Sequence, residues 1–243
     1  FGSANLRNQK YVLFNQKYSR EEYLEKIKEY DLGSYKKYRE AQSLSEENWK
    51  KFPPMPYCTD FITNSTGNYL FESKNCQECY EAVGAIDSKY LLMLAIGPNK
   101  NCYDITSWGN NIELCYEGSV IGENASNVKF SHMAGINLID AEYCNFSFGG
   151  ANQFASVSAK KGKFVIFNKR YPEKEYWELR ERIIKHMGEI PYIDNRGLVY
   201  KYGEFFPTEM SPWSYNETLA NEFFPLEKQE AETKGHSWRD ENK

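Results

Sequence analysis

Two carboxylates, Asp104 and Glu117, each stand five residues before a glycine, Gly109 and Gly122. If the segments that end in those glycines stack, the acids become vertical neighbours, fit to work as a paired acid and base or to hold a cation. If they point outward, they form only a solvated acidic stripe. Cys76-x-x-Cys79 is the one closely spaced pair among six cysteines. Structural zinc takes four ligands, normally as two such pairs, and no second pair or His-rich stretch stands here. Buried ladder thiols are therefore preferred over a metal held by Cys76 and Cys79 with the distant Cys102 or Cys115. His132, in KFSHMAG, is raw material for a Cys-His nucleophilic pair with Cys115 or Cys144. Its register disagrees with theirs, since Cys115 stands seven residues before its glycine, Cys144 five and His132 three. Trp213 and Tyr215 in SPWSYNE, together with Trp108 in the repeats, are the aromatic binding candidates, against the plainer reading of rings packed across the domain.

The elements that would position these residues follow from a period. Glycines at Gly84, Gly97, Gly109, Gly122, Gly135 and Gly149 are 13, 12, 13, 13 and 14 residues apart. Each preceding segment runs Cys, Tyr or Phe, then small, β-branched or aromatic residues, then Gly, with Asn soon after in most copies. Short strands punctuated at a fixed interval describe a β-solenoid or a repetitive meander. Equivalent Cys, Tyr and Phe side chains would then form interior ladders. Whether 13 residues make a whole turn or half of one of about 26 stays open.

A longer repeat overlays the first. YVLFNQKYSREEYLEK at residues 11–26 aligns without gaps to FVIFNKRYPEKEYWEL at 164–179, with seven identities. Upstream of each lies a related pentapeptide, Phe1-Gly2-Ser3-Ala4-Asn5 and Phe148-Gly149-Gly150-Ala151-Asn152. Ser19 with Glu22 forms a capping box, and Pro172 suits a first helical turn, so a strand plus a helix is expected in both copies. A further helix is expected over about 35–51, ending at Pro53-Pro54. The fold expected is mainly β with flanking α: a β-solenoid-like block of period about 13 with helical elements at both ends. Its parts are residues 1–56, the repeat block 57–163, and 164–243 with a Pro- and aromatic-rich tail.

Composition bounds the function. Of 243 residues, 41% are hydrophobic and 16% aromatic, enough for a sizeable core. The net charge is −4, and the repeat region 58–157 holds 11 acidic against 4 basic residues. Such a surface repels phosphate backbones, so nucleic acid is disfavoured as a partner of the repeats. The longest apolar run, YLLMLAI, is of strand length, so no membrane association is expected. A cytoplasmic location is expected, with export the alternative because four Asn-x-Ser/Thr triplets begin at Asn64, Asn124, Asn145 and Asn216. The first residue is Phe, and the start reads as artificial or processed. Because Phe1 to Asn5 look like the end of a repeat block, their open edge calls for the chain's own repeats or for a second copy, a homodimer.

The strings NSTGNYLFESKNCQECYEAVGAIDS, ELCYEGSVIGEN, FVIFNKRYPEKEYWEL and GEFFPTEMSPWSYNETLANEFFPL resemble a family of hypothetical bacterial proteins from uncultured, small-genome lineages. Relatives in that family carry NKxYxxEEYE and GEFFPxExSPFxYNET patterns and a zinc-ribbon-like tail. That tail is absent here, the last cysteine being Cys144. The resemblance supplies no catalytic residues. The residues themselves lean away from an enzyme and call for no cofactor. The expected function is a non-catalytic scaffold or binding module that presents an acidic, aromatic-dotted face to a protein or glycan partner. The alternative is a carbohydrate-active or other hydrolytic enzyme using Asp104 and Glu117.

Overall fold

A computed structural model describes residues 1–54 and 56–240 of the chain, which forms two compact units, Phe1–Tyr57 and Cys58–Lys243. The second unit is governed by a triplet. Cys76, Cys79, Ala82, Ala85, Ser88, Leu91 and Leu94, each three residues on from the last, are all fully buried. The residue before each one has a positive φ, as at Asn75 (54°), Glu78 (52°), Asp87 (49°) and Met93 (59°). A left-handed residue turns the chain, so every third residue points inward and every triplet makes a short side of about 10 Å. Four triplets close a turn of 12, and one extra residue gives 13.

Consecutive turns pair in parallel, and nine strands of the main sheet lie in chain order from Thr59–Asp60 to Lys160–Ile166, with antiparallel Lys169–Arg170 closing it as the tenth. Strand partners such as Leu70 and Ala82, or Ser119 and His132, are 12 and 13 residues apart. The glycine period is thus one whole turn. The result is a β-solenoid of about nine turns with flanking helices, 35% strand against 24% helix. Its sheet runs past residue 163 through Ile166 and the closing hairpin.

Sides this short leave room inside for aliphatic, thiol and hydroxyl groups but not for rows of rings. Cys102 and Cys115 are ladder neighbours in the interior, and Ile105, Ile121 and Leu138 fill it around them. Burying each such aliphatic side chain contributes about 1.5–3 kcal/mol. Inward serines are satisfied by the backbone. The Ser88 hydroxyl donates to the Ile86 carbonyl and accepts from the Cys102 N–H, and Ser131 does the same between Lys129 and Cys144. The expected interior Tyr and Phe ladders are corrected: Tyr103 and Tyr116 lie exposed on the outer surface, one residue after the inward Cys102 and Cys115. At Gly135 the turns approach so closely that a Cβ would fall 1.9 Å from the Gly122 carbonyl oxygen.

The expected duplication is visible as geometry. In the first unit Val12–Leu13 pairs with Gln16–Lys17 and leads into helix α1 (Arg20–Ile27), followed by α2 (Tyr35–Trp49). In the second, Val165 and Ile166 pair with Lys169–Arg170 and lead into α3 (Glu173–Glu189). Ser19 and Glu22 form the capping box, and Pro172 caps α3. Phe14 (47°) and Asn15 (64°) match Phe167 (48°) and Asn168 (63°). The match extends upstream with the same offset: Phe14 donates to the Phe1 carbonyl as Phe167 does to Phe154. Phe1 therefore corresponds to Phe154 rather than to Phe148, because the pairing distance of one turn fixes the partner and the shared Phe-Gly string does not. The first unit thus contains one full solenoid turn, residues 1–13, with positive φ at positions 2, 5, 8 and 11, matching 155, 158, 161 and 164.

The tail begins with a small hairpin, Tyr192–Ile193 against Val199–Tyr200, and continues through short helical turns. Arg180 of α3 bonds Glu142 of the solenoid at 2.8 Å through two nitrogens, and the Tyr202 hydroxyl donates to the same carboxylate at 2.6 Å. The Gly203 N–H donates to the Tyr143 hydroxyl. Helix and tail are thereby fixed to the solenoid wall. Among the described residues no helix is long and apolar enough to cross a membrane.

Candidate functional site

The tail, pinned at Tyr202 and Gly203, encloses a cavity of about 870 Å³ against the solenoid wall. The wall contributes Ser119, on the strand Tyr116–Gly122. The tail contributes Phe205, Glu209, Trp213, Tyr215, Glu232 and His236, among others. Its local structure explains their placement. Ser214 and Glu217 make a second capping box around a short turn, which sets Trp213 just before it and Tyr215 in it. The Tyr215 N–H donates to the Ser237 carbonyl, and its ring lies 4.8 Å from that of His236, tilted by 31°. Asn216 brackets Arg239 with two hydrogen bonds, drawing the end of the tail across. Trp213 is left 60% exposed, a large ring in the cavity lining.

Burial lowers the pKa of His236, and Arg196 and Lys234 lower it further, which favours the neutral ring. Glu209 is oriented by two donors, the Tyr192 hydroxyl and the Asn195 N–H.

Asp104 and Glu117 are brought together. Tyr103 pairs with Tyr116 and Ile105 with Gly118, which makes the two acids ladder neighbours, half-buried on adjacent turns. Burial raises both pKa values, and Glu117 is raised further by the charge of Asp104 and by Glu204 of the tail. Tyr116 rises with them, through burial and then the charges of Glu117 and Asp104. The acids are not among the residues that line the cavity, to which the same strand contributes Ser119.

The other sequence candidates fall elsewhere. Trp108 does not join Trp213 and Tyr215 in the cavity lining: it lies across Gly122 of the next turn, where a Cβ would sit 2.0 Å from its ring. His132 meets neither Cys115 nor Cys144, because both thiols point into the interior while His132 lies half-buried on an outer face. Its Nδ1 instead pairs with Asn145 Oδ1 at 3.0 Å, one turn on. Burial pushes Cys144 up to about 11, which removes it as a thiolate nucleophile. His132 also misses the acids, standing in the column of Ser119 and Asn145 while that of Asp104 and Glu117 continues to Phe130.

Cys76 and Cys79 are both inside, on consecutive triplets of one turn. Both thiols donate to backbone carbonyls, Cys76 to Lys74 and Ala85 and Cys79 to Gln77 and Ser88. Among the described residues no three His, Cys, Asp or Glu side chains are grouped to hold a metal ion.

Ser119, Glu209, Glu232 and His236 carried no signal in the sequence, because only the path of the tail across the wall brings them together. Compared with family models, with curated proteins and with solved structures, the chain matches none.

Proposed function

We propose that the chain is a binding module whose cavity between solenoid wall and tail takes a glycan. The observation that carries this is the pairing of exposed Trp213 and anchored Tyr215 in one concave space with Ser119, Thr208 and Glu209. Sugar rings present apolar C–H faces and hydroxyl edges together, and aromatic planes beside hydroxyl and carboxylate groups complement both. The solenoid serves as a rigid wall, since every turn is hydrogen-bonded to its neighbours. Calorimetric titration with soluble oligosaccharides tests the reading. Saturable binding that Trp213→Ala or Tyr215→Ala weakens at least tenfold supports it. Binding unchanged in both variants, or no binding to any oligosaccharide, overturns it.

A second reading rests on Asp104 and Glu117. Ladder neighbours stack about 4.8 Å apart, near the separation of about 5–5.5 Å at which one carboxyl acts as nucleophile and the other as acid in glycoside hydrolysis. Release of reducing ends from a bound oligosaccharide, lost in both Asp104→Asn and Glu117→Gln, is its signature. Binding without release leaves the module non-catalytic.

A further inference from the structure

We infer that the ligand of this cavity carries positive charge, and that an amino sugar with free amines is the glycan class it takes. The inference rests on the glycan reading and adds to it the chemistry of the substituent. Of the described residues lining the space, Glu209 and Glu232 are acidic, and none is Lys or Arg. The cations nearest in sequence are already engaged. Arg196, next to Asn195, is held by Asp194 at 2.9 and 3.0 Å, and Lys234, next to Gly235, is held by Glu230 at 2.7 Å. Lys228 stands 4.0 Å from Glu232 but gives its ammonium to Asp240 at 2.8 Å. His236 supplies a ring beside that of Tyr215.

Aromatic faces reinforce the preference. A ring presents negative potential over its plane, so Trp213 and Tyr215 attract an ammonium group as well as a sugar face. The solenoid wall has the same sign, with Asp104 and Glu117 half-buried on adjacent turns and the charges of Asp104 and Glu204 both acting on Glu117. An anionic or uronic glycan would meet repulsion from Glu209 and Glu232, and a neutral one would leave Glu209 without a charged partner.

Two oligomers of equal length separate the charge from the sugar. A glucosamine hexamer, with protonated amines, and an N-acetylglucosamine hexamer, without charge, are titrated calorimetrically at pH 6 in 50 and 500 mM salt. The glucosamine hexamer is expected to bind at least tenfold more tightly at low salt, and to lose most of that advantage at high salt. Glu209→Gln and Glu232→Gln are expected to reduce the preference, while Trp213→Ala weakens both ligands. Circular dichroism melting of each variant separates loss of contact from loss of fold. Equal or tighter binding of the acetylated hexamer overturns the charge inference and leaves the glycan reading standing. If neither hexamer nor any neutral or acidic oligosaccharide binds, both fall.

Discussion

Arg180 and Glu142, 38 residues apart in sequence, are joined by a two-pronged ion pair whose side chains are only 21% and 10% exposed. The pair fastens α3 to the solenoid, and the Tyr202 hydroxyl, resting on the same carboxylate, draws the tail to the same point. Burial pulls the Arg180 pKa down, but the Glu142 carboxylate more than offsets this, so the guanidinium remains charged. Arg180→Ala leaves a mostly buried carboxylate with one partner. The expected cost is about 2–3 kcal/mol in denaturant unfolding. A double replacement, Arg180→Met with Glu142→Leu, is expected to cost less, since no charge is stranded. A single variant as stable as the wild type would show that the pair does not hold the cap.

The acidic neighbours make a pH prediction. Asp104 and Glu117 have folded pKa values above their unfolded ones, through burial and, for Glu117, the nearby Asp104 charge. Their contribution to stability is therefore fully present below the unfolded values and is lost as pH rises through the folded ones. Asp104→Asn removes one buried charge and relieves the other. The variant is expected to melt higher than the wild type at pH 7, with the gap closing towards pH 4, and its Glu117 carboxyl is expected to titrate lower by NMR. A variant that melts lower at pH 7 would mean that the acids are stabilised by a partner.

The thiols report on the triplet interior. Five of the six cysteines are no more than 1% exposed, and Cys58 is half-buried. An aromatic disulfide reagent is expected to modify one thiol per native chain quickly and all six after unfolding. Cys76 tests the argument most sharply, since its thiol is fully enclosed and donates to the Lys74 and Ala85 carbonyls. Rapid reaction of two or more native thiols would contradict the packing.

Much of this architecture was legible because the same geometry repeats. The glycines at Gly109, Gly122 and Gly135 are strand partners in successive turns, so their spacing directly reported the turn length. The cap was legible through Phe14, Asn15 and Tyr18, whose counterparts repeat the same turn and hairpin. The triplet was harder to see, because its inward positions accept Cys, Ala, Ser, Leu and Ile alike and its corners accept Tyr as readily as Asn. Tyr103 and Tyr116 were expected inside because each directly follows an inward cysteine, Cys102 and Cys115, in the repeated string. Pairing of Asp104 with Glu117 followed from equal distances to their glycines, and His132, with an unequal distance, fell in another column. The cavity was legible only through Trp213 and Tyr215. Its remaining walls depend on where Glu142 and Tyr143 fasten the tail, and no periodic signal encodes that.

The claim that wall and tail form one binding cavity is tested most directly by hydrogen–deuterium exchange with and without saturating glucosamine hexamer. Slowed exchange is expected in residues 205–218 and 231–237 and in the strand Tyr116–Gly122, with little change in the first unit. Protection confined to other faces of the solenoid, or none in the tail at saturation, would contradict it.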